Sequence, residues 1–432
     1  MDGDANDLQL LLATAQHEVG ALRGDLRLAP LQGKRGAALR EHVLDLLGAV
    51  EHRITEQPGS GASQSARAAF ARTVRQYILV LRGAHAALPW LAAARSPSLN
   101  LGSLYMTEEC ARVLVGADVD MVVVPNPDYM YSTTSWPFRA VIDATPGFNP
   151  TASRRPIVLN YPLTDSDRLL LHAIFSHELG HASVHEHNLL SGVEAKLTAE
   201  ATFVASFEAA VTAMEATMQS SRSTLAGTLR GLLRAWLEEL LCDHLAIEVM
   251  GPAFLWAFTP FVISHSYEDA GPTHPPNPLR IQLALDHLER RGWRPYMARV
   301  APGITAWCDS IGADATGALA PSHFAFLRDE LLARASVLQE CVMTRTGADT
   351  FDRTLAEPQA DEAAGLLERL ILPVGLTTPL EPRSIVLGGW QEALRRHGDS
   401  PGGLVAALAD RGLQDLVGKA IEMSVVSASW QP

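Results

Sequence analysis

The chain has 432 residues, 47% of them hydrophobic and 19% charged, and carries a net charge of -13. That composition describes a globular protein with ample core, spread over two or three domains, and excludes general disorder. The acidic balance argues against nucleic acid or an anionic membrane as the main partner, because both demand basic surface.

Met1 to Asp7 lacks the basic start and apolar run of a secretory leader, which makes a cytoplasmic location the expectation. Leu39, Val43, Leu46, Leu47, Val50 and Ile54 then recur at helical spacing, as do Phe70, Val74, Tyr77, Ile78 and Leu81, with a flexible Pro/Gly/Ser link from 57 to 63 between them. From about 105 to 162 the period shortens. Met121 to Val124, Phe138 to Ile142 and Pro156 to Tyr161 read as short strands between Pro, Gly and Asp turn signals.

Thr164-Asp165-Ser166-Asp167 reads as a capped helix start, after which Leu170, Ile174, His177 and His181 fall on one stripe. Within that helix lies His177-Glu178-Leu179-Gly180-His181, an H-E-x-x-H. Residues four apart lie about 40° apart around an α-helix, so both imidazoles can reach one metal ion. Glu178, on the adjacent edge, is placed to take a proton from a metal-bound water during attack on a carbonyl.

A catalytic zinc has three protein ligands and an open position, and two residues compete for the third place. His187 has the H-E-x-x-H-x-x-G-x-x-H spacing, but Val184 stands where that pattern needs a glycine to turn the chain. Glu239 follows a long helix marked by Phe203, Phe207, Ala210, Val211, Met214 and Met218 and a turn at Ser220 to Ser223. There Leu232, Trp236, Glu239 and Asp243 share one stripe. Two carboxylates on an apolar stripe are costly unless one binds a cation and the other hydrogen-bonds a ligand histidine. The alternative is a solvated face made of Glu238, Glu239 and Asp243.

At this point the chain resembles the gluzincin metallopeptidases, and within them the family of the CAAX prenyl endopeptidase and the HtpX heat-shock protease. The H-E-x-x-H, the E-x-x-x-D frame of Glu239 and Asp243, and Thr273-His274-Pro275-Pro276 with Arg280 carry the resemblance, over roughly residues 155 to 285. It implies one zinc ion held by His177, His181 and Glu239, with Glu178 as base. It further implies that His274 donates to the oxyanion, Asp243 orients a ligand histidine and Arg280 pairs with a supporting carboxylate. The resemblance also implies that the strand before the metal helix is an edge strand able to pair with extended substrate, the alternative being an ordinary internal strand. The family's best-known members are membrane proteins, whereas this chain has no run of 18 apolar residues; the nearest, Phe254 to Ser264, contains Pro260. Cys242 stands where the family carries alanine.

After 290 a Gly- and Ala-rich stretch from Ala301 to Pro321 precedes helices near 324–339, 363–372 and 390–396. Cys110, Cys242, Cys308 and Cys341 form no C-x-x-C pair, which points to reduced thiols. The expected fold is mostly α with a small β-sheet (α+β): an N-terminal helical region 1–100, a zincin-like metallopeptidase core 101–290 and a C-terminal helical region 291–432. The expected function is zinc-dependent hydrolysis of a peptide or protein substrate, with the selectivity of a regulatory protease and with the flanking helices restricting access or recruiting a protein partner. The alternatives are a non-catalytic interaction protein with a structural metal site, and a non-peptidase or iron-dependent enzyme.

Overall fold

The computed structural model describes residues 2–28, 33–59, 61–93, 99–126, 131–134, 155–264, 271–316, 322–347 and 350–430. It is mostly helical with one small three-stranded sheet. The chain forms two compact units, one of Met1–Ser98 with Asp118–Thr164 and the other of Leu99–Ala117 with Asp165–Pro432. Among the described residues no helix is long and apolar enough to cross a membrane.

The first unit holds α1 (Asp2–Leu28), α2 (Gly33–Thr55), α3 (Gln64–Ala93) and strands β1 (Val119–Asn126), β2 (Ser132–Thr134) and β3 (Arg155–Pro162). Leu12, Ala15, Val19, Leu22 and Leu26 step along α1 in threes and fours and meet Leu46, Val50, Val74 and Leu81 in one buried cluster with Val122 and Val124 of β1. Arg23 adds a bidentate pair to Glu51 at 2.7 and 2.8 Å. Half-exposed pairs of this kind contribute less than about 1 kcal/mol, so apolar burial holds the helices together.

The strand order is β1-β3-β2, with β1 parallel to β3 and β2 antiparallel to it along Val158–Asn160. This corrects the expectation of an edge strand at Pro156 to Tyr161. β3 is the central strand, and a backbone already hydrogen-bonded on both sides along Val158–Asn160 cannot add a substrate strand there. The strand expected at Phe138 to Ile142 lies outside the described residues.

The second unit opens with α4 (Leu101–Leu114), and its next α-helix is α5 (Phe175–Glu186). The capping box expected at Thr164 to Asp167 does not start α5. Two 3₁₀ turns, Leu163–Asp165 and Leu169–Ile174, intervene, and Ile174 precedes α5 without a side-chain cap. Asp165 is occupied otherwise: its carboxylate takes Arg168 at 2.9 Å and its carbonyl oxygen takes His172 Nε2 at 2.8 Å. Leu169–Ile174 is buried on every side, and a segment buried all round cannot show an amphipathic period.

His172 meets Ser103 Oγ through its other nitrogen at 2.8 Å, and burial holds its pKa down at about 4. The unfolded chain, with an ordinary imidazole near pH 6.5, binds a proton that the folded one refuses. The contribution of His172 is therefore whole above about pH 6.5 and is expected to fall by up to about 3 kcal/mol as pH drops towards 4. Urea denaturation at about pH 7 and about pH 4.5 checks this; equal stabilities at the two would contradict it.

The unit continues with α6 (Leu189–Ala199), α7 (Ala201–Thr217), α8 (Arg222–Met250), α9 (Pro252–Ser264) and α10 (Asn277–Arg290). Ser221 caps α8 by accepting from Thr224 N. Gly251 ends it at φ +54, where a Cβ would press the rings of Trp293 and Phe351. The first half of α8 is amphipathic, whereas from Glu239 to Met250 every residue is buried. Helices α11 (Arg294–Val300), α12 (Pro302–Ala313), α13 (Ser322–Ala333), α14 (Ala335–Thr346), α15 (Arg353–Glu368), α16 (Pro382–His397), α17 (Pro401–Ala409) and α18 (Arg411–Ser429) belong to this same unit. Helix α12 occupies the stretch read as merely Gly- and Ala-rich. Its Pro302 sits at the first helical turn, where the missing N–H costs nothing.

Gly180 sets how closely α5 and α8 approach. A Cβ there would stand 3.0 Å from Cys242 Cα and 3.1 Å from its Cβ, so backbone rather than a yielding side chain blocks it. Gly180→Ala gains about 1 kcal/mol in helix propensity but overpacks by about 1–3 kcal/mol. The expected result is a lower melting temperature as the helices part; an unchanged melting temperature would contradict the packing argument.

Candidate metal centre

Helix α5 contributes His177, Glu178 and His181, and α8 contributes Glu238, Glu239 and Asp243 across the Gly180 contact. His177 Nε2 lies 3.4 Å from one oxygen of Glu239, and His181 Nε2 lies 3.6 Å from the other. One donor atom from each of the three residues falls within 4.8 Å of the others. These separations are too long for good hydrogen bonds. They are close to the roughly 3.3 Å that separates two ligand atoms each about 2.0–2.1 Å from a tetrahedral ion. The donor set therefore fits a zinc-type cation.

The far sides of both rings meet carboxylates. His177 Nδ1 is 2.9 Å from Asp243 Oδ1, a close charge contact off the line of the ring N–H. His181 Nδ1 is 3.0 Å from Glu238 Oε1, which also lies 2.9 Å from His185 Nε2. Asp243 is gripped by Arg280 through Nε at 2.8 Å and Nη2 at 2.7 Å. The same guanidinium stands 3.6 Å from Glu239 and 4.6 Å above the ring of Phe258.

Charge conforms to this geometry. Burial works against a charged His177, but Asp243 and Glu239 outweigh it and raise its pKa to about 10. Burial likewise pushes Glu239 upward, and His177 and Arg280 bring it down to about 2. Asp243 stays below the usual carboxylate range despite full burial, through Arg280 and His177. A proton on His177, together with Arg280, thus balances Glu239 and Asp243, and a cation bound at this nitrogen would have to displace it. Glu178 differs from these acids: burial raises its pKa, only partly opposed by His177 and His181.

His274 stands at the mouth of this cluster, its Nε2 3.6 Å from Glu239 Oε1 and its ring 62% exposed. Thr273 Oγ1 holds its Nδ1 at 2.8 Å, and Pro275 and Pro276 stiffen the backbone on its C-terminal side. Trp236, three residues before Glu239, donates its indole N–H to Gly271 O at 2.9 Å and ties this loop to α8.

The structure thus brings together His177, Glu178, His181, Glu239, Asp243, His274 and Arg280. His187 stands outside the three-donor cluster. It ends α5 and meets Arg345 at 2.7 Å, because buried Val184 keeps the helix running to Glu186. Two further residues also reach the site: Glu238, read from the sequence only as part of a solvated face, and His185, to which the sequence pattern assigns no role. Their signal is faint but present: His185 lies one helical turn beyond His181, and Glu238 adjoins Glu239. The chain matches no protein-family model, no curated protein and no solved structure.

Proposed function

We propose that this protein is a zinc metallopeptidase with a zincin-like core, hydrolysing peptide bonds in a peptide or protein substrate. The observation that carries the reading is the convergence of His177, His181 and Glu239 from two helices at separations suited to a tetrahedral cation. A structural zinc is enclosed by four protein ligands, whereas only three donors converge here among the described residues, with exposed His274 on the remaining side.

Bound zinc would polarise the scissile carbonyl and acidify the attacking water. Glu178 would take the proton of the attacking water and return it to the amine nitrogen as the C–N bond breaks, and its burial-raised pKa brings it nearer the working range of a general base. His274 donates through Nε2 to the negative charge that develops on the carbonyl oxygen, a role worth about 3–4 kcal/mol of barrier when the donor is well placed. Thr273 and the Trp236 anchor hold that ring in position. Asp243, braced by Arg280, fixes His177. Helices outside the centre serve substrate selection or a protein partner.

The test is metal analysis joined to a peptide-cleavage assay. The parent is expected to carry one zinc per chain and to lose cleavage in a chelator. His181→Ala and Glu239→Ala are expected to lose the zinc. A metal-free parent, or retention of zinc by both variants, overturns the proposal.

A further inference from the structure

Each imidazole that faces Glu239 has a second nitrogen, and α8 supplies a carboxylate for each. Asp243, four residues after Glu239, serves His177, and Glu238, one residue before it, serves His181. The two supports are built differently. Asp243 is buried and braced by Arg280, whereas Glu238 is partly exposed, its side chain 23% accessible. What braces Glu238 is His185, whose Nε2 lies 2.9 Å from the same Oε1 that meets His181.

We propose that Glu238 and His185 are positioning residues for His181: Glu238 accepts from the His181 Nδ1–H and so turns Nε2 toward the metal, and His185 keeps Glu238 from swinging into solvent. The inference rests on the metallopeptidase reading. His185 lies one turn of α5 beyond His181, so the three groups form a clip between α5 and α8 at the solvent side of the centre. An imidazole that donates at Nδ1 is locked in the tautomer with a free lone pair at Nε2. The plainer role, an ion pair that merely joins two helices, makes a different prediction. Such a partly exposed pair contributes less than about 1 kcal/mol to folding and leaves metal affinity alone.

Zinc affinity by chelator competition, read beside the melting temperature of the zinc-free protein, separates the two roles. Glu238→Ala is expected to weaken zinc binding by about 10- to 100-fold. Glu238→Gln, which keeps the accepting oxygen, is expected to recover part of that loss. His185→Ala is expected to weaken binding by a smaller factor than Glu238→Ala. The zinc-free melting temperatures are expected to agree with the parent within about 2 °C. Parent-like zinc affinity in Glu238→Ala overturns the inference while leaving the proposed function standing. So does a loss that glutamine fails to relieve and that tracks a falling melting temperature. A parent that binds no zinc in the same titration overturns the metallopeptidase reading and this inference with it.

Discussion

Replacing Glu178 by glutamine is expected to leave the zinc content at the parent's level while peptide cleavage falls by about 10²- to 10⁴-fold. In barrier terms this is about 3–5 kcal/mol. Glutamine has nearly the same shape, so the α5 face and the two histidines stay where they are. What disappears is the basic carboxylate oxygen that accepts the water's proton; an amide oxygen still accepts a hydrogen bond but is too weak a base to take the proton. Glu178 differs from Glu239 and Asp243 in having a raised pKa, because it is buried without the direct ion pairs that pull those two down. Cleavage by Glu178→Gln at the parent's rate would remove Glu178 from the mechanism.

Asp243→Ala is expected to have the largest effect on folding, about 3–5 kcal/mol. The carboxylate and Arg280 are both buried, joined by two hydrogen bonds, and His177 leans on the same group. Removing it leaves a guanidinium without its main counter-charge in a dry place. Glu239, 3.6 Å from Arg280, compensates in part and is thereby drawn from the histidines. Zinc affinity and stability are therefore expected to fall together, unlike the case of Glu238. Asp243→Asn keeps the shape and one acceptor, and is expected to lose less. Urea denaturation of the zinc-free proteins measures the difference; parent-like stability in Asp243→Ala would show that the buried pair does not brace this region.

Much of the helical frame is legible in the sequence because its faces are one-sided. The apolar steps at 43–54, 70–81 and 203–214 fall on α2, α3 and α7, where one face is packed and the other wet, whereas Met218 lies just past the end of α7 and is exposed. The position of Glu239 on the Trp236 stripe is legible for a related reason: a carboxylate in an apolar row must answer to something buried. Where burial is complete, periodicity carries no signal, and the 3₁₀ turn at Leu169–Ile174 reads as ordinary α-helix. The sheet fails differently. Residue pattern identifies Pro156 to Tyr161 as a strand, but which strand lies in the middle depends on pairing between distant segments, and that is not written in any one of them. Glu238 reads only as part of a solvated acidic face, because its partner His185 lies on a different helix, with α6 and α7 between them in the chain.

Helix α8 bears Trp236, Glu238, Glu239 and Asp243, so the anchor of the His274 loop, the third donor and the supports of both histidines ride on one rod. Its 29 residues span about 43 Å at 1.5 Å per residue, and its first half runs along the surface. Anything that levers that outer end shifts donor, braces and loop in concert. On the metallopeptidase reading, a displacement of that end would therefore be felt by metal retention and turnover together.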